Sequence, residues 1–224
     1  MKTEPKASNY KPTDKPQKSF TPIQRFEKSM EMNFEKWHDG IGYDIEAIKT
    51  ASPTERKAIE QLLINHTPRN WRDIEALAQI NTEAAKETIK LAIHDTNPEV
   101  RAAVGRYAPN LVTTKERIQH IVDALQNAEL FGGLSQVLDE VGDFHPEEVK
   151  ENLIVGLLNR KGEVAVLYAA MLFYIFGKAK EPFDMSQRPF FLRFNTESKM
   201  DRVEAFRELC KNLDIDPKKY LDCD

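Results

Sequence analysis

The chain has 224 residues, 41% hydrophobic and 30% charged, with only nine glycines. That is enough for one good-sized domain, while scarce glycine and short β-branched runs disfavour a turn-rich sheet protein. Residues 1–28 carry seven basic and three acidic side chains, so a whole-chain charge of −4 leaves −8 on residues 29–224. Such an acidic body argues against a duplex nucleic-acid surface, which needs lysines and arginines on phosphate, and suits a basic protein partner.

Residues 1–22, with four prolines and many Lys, Ser and Thr, read as a disordered basic tail. The first residues contain no apolar stretch of the kind that marks a secretory signal. Residues 23–224 read as a single helical domain. Phe26, Met30, Phe34 and Trp37 recur as one stripe of a helix, broken at DGIGYD (39–44), where Gly40 and Gly42 permit positive φ and Asp44 caps the next helix. SPTE (52–55) is a capping box, followed by Ile59, Leu62, Leu63 and His66 on one face. Asn70 precedes WRDIEALAQI, with Trp71, Ile74, Leu77 and Ala78 inward, and Asn81 precedes TEAAKETIKLAI.

HDTNPEVRAAV (94–104) then combines a cap (Asn97), a first-turn proline (Pro98) and an acid at the positive helix end (Glu99). Val100, Ala103, Val104 and Tyr107 face inward. TTKE (113–116) is a second capping box, and Leu130, Leu134, Val137, Leu138 and Val141 make the next stripe. HPEEV (145–149) opens another helix. The run VAVLYAAMLFYIFG (164–177) is shorter than the ~18 residues a membrane span needs and reads as an enclosed helix. Pro182 and Pro189 forbid a regular helix across residues 178–197, yet four phenylalanines there are too apolar for a free linker. An irregular strap or a short extended segment fits. A last helix, Lys199–Leu213, capped by Ser198, closes the end.

Pro53, Pro98 and Pro146 each open a helix, 45 and 48 residues apart. That spacing is near the period of HEAT and armadillo arrays, and DTNPEVRAA (95–103) resembles the most recognisable HEAT segment. The resemblance covers about residues 50–176. It is strongest in this unit; the others keep the proline cap without the Val-Arg pair. It implies an all-α fold, a short right-handed superhelix of stacked antiparallel helix pairs. It also implies that Arg101 links neighbouring repeats through a carboxylate or carbonyl, with Asp95 a candidate partner.

No catalytic or phosphate-binding motif is present, and the five histidines have no i+3 or i+4 partner histidine. Cys210 and Cys223 lack CxxC spacing and a nearby histidine. Neither a metal, a cofactor nor a disulfide framework is therefore expected, and a reducing cytoplasm is the simplest compartment. The leading expectation is a non-enzymatic protein-binding module, for instance an inhibitor or immunity protein neutralising a basic toxin or nuclease. Its acidic contacts would be Asp139, Glu140, Asp143, Glu147 and Glu148.

Two polar-aromatic clusters read either as helix corners or as partner patches: Trp37, Asp39 and Tyr43 in WHDGIGYD, and Trp71 and Asp73 in NWRDIEAL. Arg188 and Arg193 in RPFFLRF read either as a docking patch or as a strap paired to the acidic body. HEAT-like DNA glycosylases hold a damaged base with aromatics and an aspartate, so Trp37, Trp71, Asp39 and Asp73 also support an enzyme alternative. A third reading is a structural adaptor whose basic tail carries the contacts.

Overall fold

In the computed structural model, which describes residues 20–127 and 133–221, the regular elements among the described residues are all helical. None of these helices is long and apolar enough to cross a membrane. Leu130, Cys223 and residues 1–19 of the basic tail lie outside the described residues.

Helix α1 (Pro22–Met30) begins in a Thr21–Gln24 capping box, one residue before the expected start of order. The expected stripe through Trp37 does not form one helix. The backbone turns out of α1 after Met30, and α2 (Phe34–His38) starts afresh on Asn33, whose side chain accepts from the Lys36 amide. The Lys36 ammonium donates to the carbonyls of Lys28, Ser29 and Glu31, closing the end of α1. Phe26 is therefore buried, while Phe34 is 74% exposed and Trp37 43%.

The remaining starts follow local chemistry. Asp44 caps α3 (Ile45–Thr50), the Ser52–Glu55 box opens α4 (Pro53–Asn65), and an Asn70–Asp73 box opens α5 (Trp71–Ile80). Asn81 adopts the left-handed conformation that ends α5, leaving Thr82 to cap α6 (Glu83–Ala92). Asn97 and Pro98 start α7 (Pro98–Tyr107), and Thr113 with Glu116 closes a reciprocal box before α8 (Thr114–Asn127). Then come α9 (Leu134–Asp143), α10 (Glu147–Asn159) directly after Pro146, and α11 (Glu163–Ile175). The strap contains only the short α12 (Arg188–Phe191), with Pro189 in its first turn, between two 3-10 turns. Ser198 caps α13 (Lys199–Leu213), and α14 (Lys218–Leu221) follows.

Most packing is between near neighbours in the chain: α3 on α5, α5 on α7, α7 on α8 and α9, α8 on α10, α10 on α11. Two hydrophobic cores result, and they meet at α7. Val100, Ala103 and Val104 belong to the N-terminal core, whereas Ala102 belongs to the C-terminal one. Small residues on α7 let three helices approach it at once. Gly105 eases this approach, because a Cβ would lie a tight 3.1 Å from both Arg117 and the carboxylate of Glu140. Arg101 donates to the carbonyls of Asp95 (2.7 Å) and Thr96 (3.2 Å) and lies 3.7 Å from Asp123 of α8. It thus ties the loop before α7 to the following helix, through the Asp95 carbonyl and not its carboxylate.

The C-terminal core is largely apolar, with the buried Glu140–Arg117 pair and Arg202 at its edges. Tyr168 is fully buried, donates to the Leu125 carbonyl, and packs so closely on Gly156 that a Cβ there would sit 2.7 Å from its ring. Phe190, Phe191 and Phe194 of the strap cluster with one another, and the first two also pack on Phe173 of α11. Arg202 donates to the carbonyls of Leu158, Arg160 and Thr196, fastening α13 to the end of α10 and to the strap. Cys210 is buried, and burial pushes its thiol up to about 11.

Candidate functional site

The WHDGIGYD corner is shaped by its own residues. Gly40 is left-handed (φ 64°), and the amides of Gly40 and Ile41 return to the carbonyls of Trp37 and Lys36, which ends α2 as a Schellman motif. Gly42 differs from the expectation of positive φ. Its lack of a side chain lets the Glu75 carboxylate sit close, since a Cβ would fall 2.9 Å from a carboxylate oxygen that would then have to swing away.

Beneath this corner lies a buried polar hub. The Tyr43 hydroxyl donates to Asp73 Oδ1 (3.2 Å) and accepts from Asn70 Nδ2 (3.2 Å). Asp73 Oδ2 accepts from the Asn70 amide (2.8 Å) and pairs with His66 Nδ1 (2.9 Å). Burial beside Asp73 pushes the Tyr43 hydroxyl up to about 12. The neighbouring Arg72 donates to the Ile41 carbonyl (2.7 Å) and lies over the Trp71 ring at 4.6 Å. The hub therefore fixes Trp71 between the corner and α7, where Tyr107 is nearly parallel to it (13°, centroids 6.5 Å apart).

A two-lobed cleft opens around Trp71. The smaller lobe, about 220 Å³, is lined by Trp37, His38, Asn70, Arg72, Glu99 and Ser135. The larger, about 360 Å³, is lined by Gly42, Tyr43, Glu75, Arg106, Tyr107 and Asp139. Both share Gly40, Trp71 and Gln136, so they form one concave surface. Gly133 (φ 87°) lets α9 approach, with Glu99 carbons within 3 Å of where its Cβ would be.

The charges in the cleft are unequally satisfied. Arg106 donates to Asp139 (2.8 Å) and covers Tyr107, while Arg72 is held by backbone carbonyls. Glu75 and Glu99 are each pushed above the usual carboxylate range by burial, an effect that nearby arginines only partly offset. Among the described residues neither carboxylate has a cation within 4 Å; Glu99 is hydrogen-bonded to Asn97. Half-burying a carboxylate with only distant arginines to offset it is costly, so a positive charge placed beside either glutamate would be favoured.

The structure brings Trp37, Trp71 and Asp139 to the cleft. Most of the other expected contact residues lie elsewhere, and two of the carboxylates among them are buried. Asp73 is fully buried with both oxygens engaged, and so cannot offer its carboxylate to a base; Tyr43 is buried with only an edge on the larger lobe. Glu140 leaves the acidic surface altogether. It is fully buried and accepts from Arg117 Nε at 2.6 Å, while Asp143, Glu147 and Glu148 are exposed. Asp39 is exposed and pairs with His38. Arg188 and Arg193 are exposed on the strap, where Arg193 pairs with Glu208 and Glu204, outside the cleft lining.

Sequence reasoning missed Glu75 and Glu99, and with them Arg72 and Arg106. Glu75 lies one turn after Trp71 on α5, a spacing that could have marked it as the ring's neighbour. Among the described residues no group of three or more His, Cys, Asp or Glu gathers as a metal site would. Comparison of the chain with family models, curated proteins and solved structures finds no match.

Proposed function

We propose that this chain is a non-enzymatic protein-binding module of HEAT-like build, a short right-handed superhelix of helix pairs, acting in the cytoplasm on a basic protein as an inhibitor or immunity protein does. The build is supported by near-neighbour helix packing, by proline-started helices at a regular spacing, and by an arginine joining α7 to α8. The observation that carries the partner's chemistry is charge: residues 29–224 hold −8, and part of it is exposed on Asp139, Asp143, Glu147 and Glu148, of which Asp139 lines the cleft. Asp139 and Asp143 share one face of α9, and Glu147 and Glu148 continue from them in the first turn of α10. Such a run steers a cationic partner toward the concave surface, an attraction that salt screens.

The test is affinity capture of the intact protein from its native cells at low and at moderate salt, beside the D143K/E147K/E148K variant. A basic companion that is lost as salt rises and lost with the variant supports the reading. Capture indifferent to both overturns it, and loss on deletion of residues 1–22 would transfer the contacts to the basic tail.

A further inference from the structure

We propose that the Trp71 cleft is a receptor for an arginine side chain of the partner, with Glu99 and Glu75 as its counter-ions and the exposed Trp37 and Phe34 rings at its mouth. This deepens the reading of a basic protein partner and rests on it.

Three observations converge. First, the cleft arginines are engaged at close range and its two glutamates are not: Arg106 pairs with Asp139 at 2.8 Å and Arg72 is held by backbone carbonyls, whereas Glu75 and Glu99 make no ion pair within 4 Å among the described residues, so an entering cation finds acceptors without a close counter-ion. Second, the exposed flat surface is the Trp37 ring at the mouth, since the chain's own Arg72 and Arg106 already lie over Trp71 (4.6 Å) and Tyr107 (5.3 Å); an exposed ring favours a planar, weakly hydrated guanidinium over a compact, strongly hydrated ammonium. Third, the mouth is framed by apolar side chains left in water. Trp37 (43% exposed) lines the smaller lobe, Phe34 (74%) leans on it with centroids 6.0 Å apart, and Ile41 (46%) adjoins the corner. Aromatics around a desolvated charge site are the usual composition of an interface hot spot, with exposed apolar area to be covered when the partner docks.

The site also carries its own reporter. The chain has two tryptophans, and both line the cleft. Titrating the intact protein with arginine amide at constant ionic strength should change tryptophan fluorescence saturably, in the millimolar range expected of a single side chain. The probe need go no higher than about 100 mM. Lysine amide should bind several-fold more weakly. E75Q and E99Q keep side-chain size and should each weaken arginine amide, with the E75Q/E99Q pair weaker by about tenfold or more. Far-UV circular dichroism checks that these variants fold.

No saturable change in the wild type, or one that the glutamine variants leave intact, overturns the proposal. So does equal affinity for lysine amide, which would remove the guanidinium preference. A response to adenine but not to arginine amide overturns it in favour of a base-binding cleft. The two levels separate cleanly. Salt-sensitive capture of a basic partner that survives E75Q/E99Q sinks the receptor while sparing the function. Arginine amide binding without a basic partner sinks the function while sparing the receptor.

Discussion

The two halves of this molecule are held together by different chemistry. The C-terminal core buries mainly rings and aliphatic side chains: its buried Tyr168 hydroxyl meets a single carbonyl, and its buried carboxylate, Glu140, is held by Arg117 at the edge where α7 packs. The N-terminal core surrounds a charged hub, in which Asp73 gathers Tyr43 from the corner before α3 and His66 and Asn70 from the loop before α5. A packed apolar core sets a shape; a buried, satisfied carboxylate also fixes orientation, because each partner must arrive along a particular direction. The cleft opens in the half with the hub, where Trp71 must be aimed and not merely buried.

Substitutions that remove polarity without volume should separate the halves. D73N keeps the shape but presents amide protons to the Asn70 amide, and should cost roughly 3–5 kcal/mol, the range for breaking a buried charged network. At this chain length that lowers the melting temperature by about 10 °C. A loss under 1 kcal/mol would mean that the hub does not organise the N-terminal core.

A finer comparison sets two buried tyrosines against each other. Y43F removes a bond to a carboxylate and another from Asn70, and should cost about 2 kcal/mol; Y168F removes one bond to a carbonyl, about 1 kcal/mol. Equal losses in denaturant titrations would erase the distinction. At the seam between the cores, R101A frees the Asp95 and Thr96 carbonyls and should cost about 1 kcal/mol. An unchanged melting temperature would deny Arg101 its linking role.

The smallest effect runs in the opposite direction. Burial raises the Glu75 and Glu99 carboxyls, so the folded protein holds protons that the unfolded chain has released. Stability therefore falls as pH rises from the unfolded carboxylate range through the raised values, and the full penalty stands above them. E75Q or E99Q should raise the melting temperature at pH 7 by about 2 °C, a gain that disappears once both carboxyls are protonated at low pH.

Much of the fold was legible because helix starts are local. Ser52–Glu55, Asn70 before Trp71, Asn97–Pro98, Thr113–Glu116 and Ser198 all act within four residues of themselves. The break after Met30 was hidden because the apolar spacing runs on through it, and only the Asn33 cap and the reach of Lys36 back to α1 reveal the new start. The candidate site was legible only in part. Trp37, Trp71 and Asp139 stood out as types, but adjacent acids look alike in sequence. Asp139 and Glu140 part company about 100° around α9, one toward the cleft and the other into Arg117, in space that Gly105 leaves on a separate helix. Glu75 and Glu99 likewise share a cleft only because α5 and α7 pack together.

The most direct test of a cation-seeking cleft is the melting temperature of the wild type and of E75Q/E99Q at pH 7, each with and without arginine amide at matched ionic strength. The wild type should melt below the variant without ligand and rise when arginine amide is added, while the variant stays put, since only a ligand that binds the folded state raises its stability. A variant that melts below the wild type, or one that arginine amide shifts as far, would contradict it: the two carboxylates would then be structural groups and not an unfilled site.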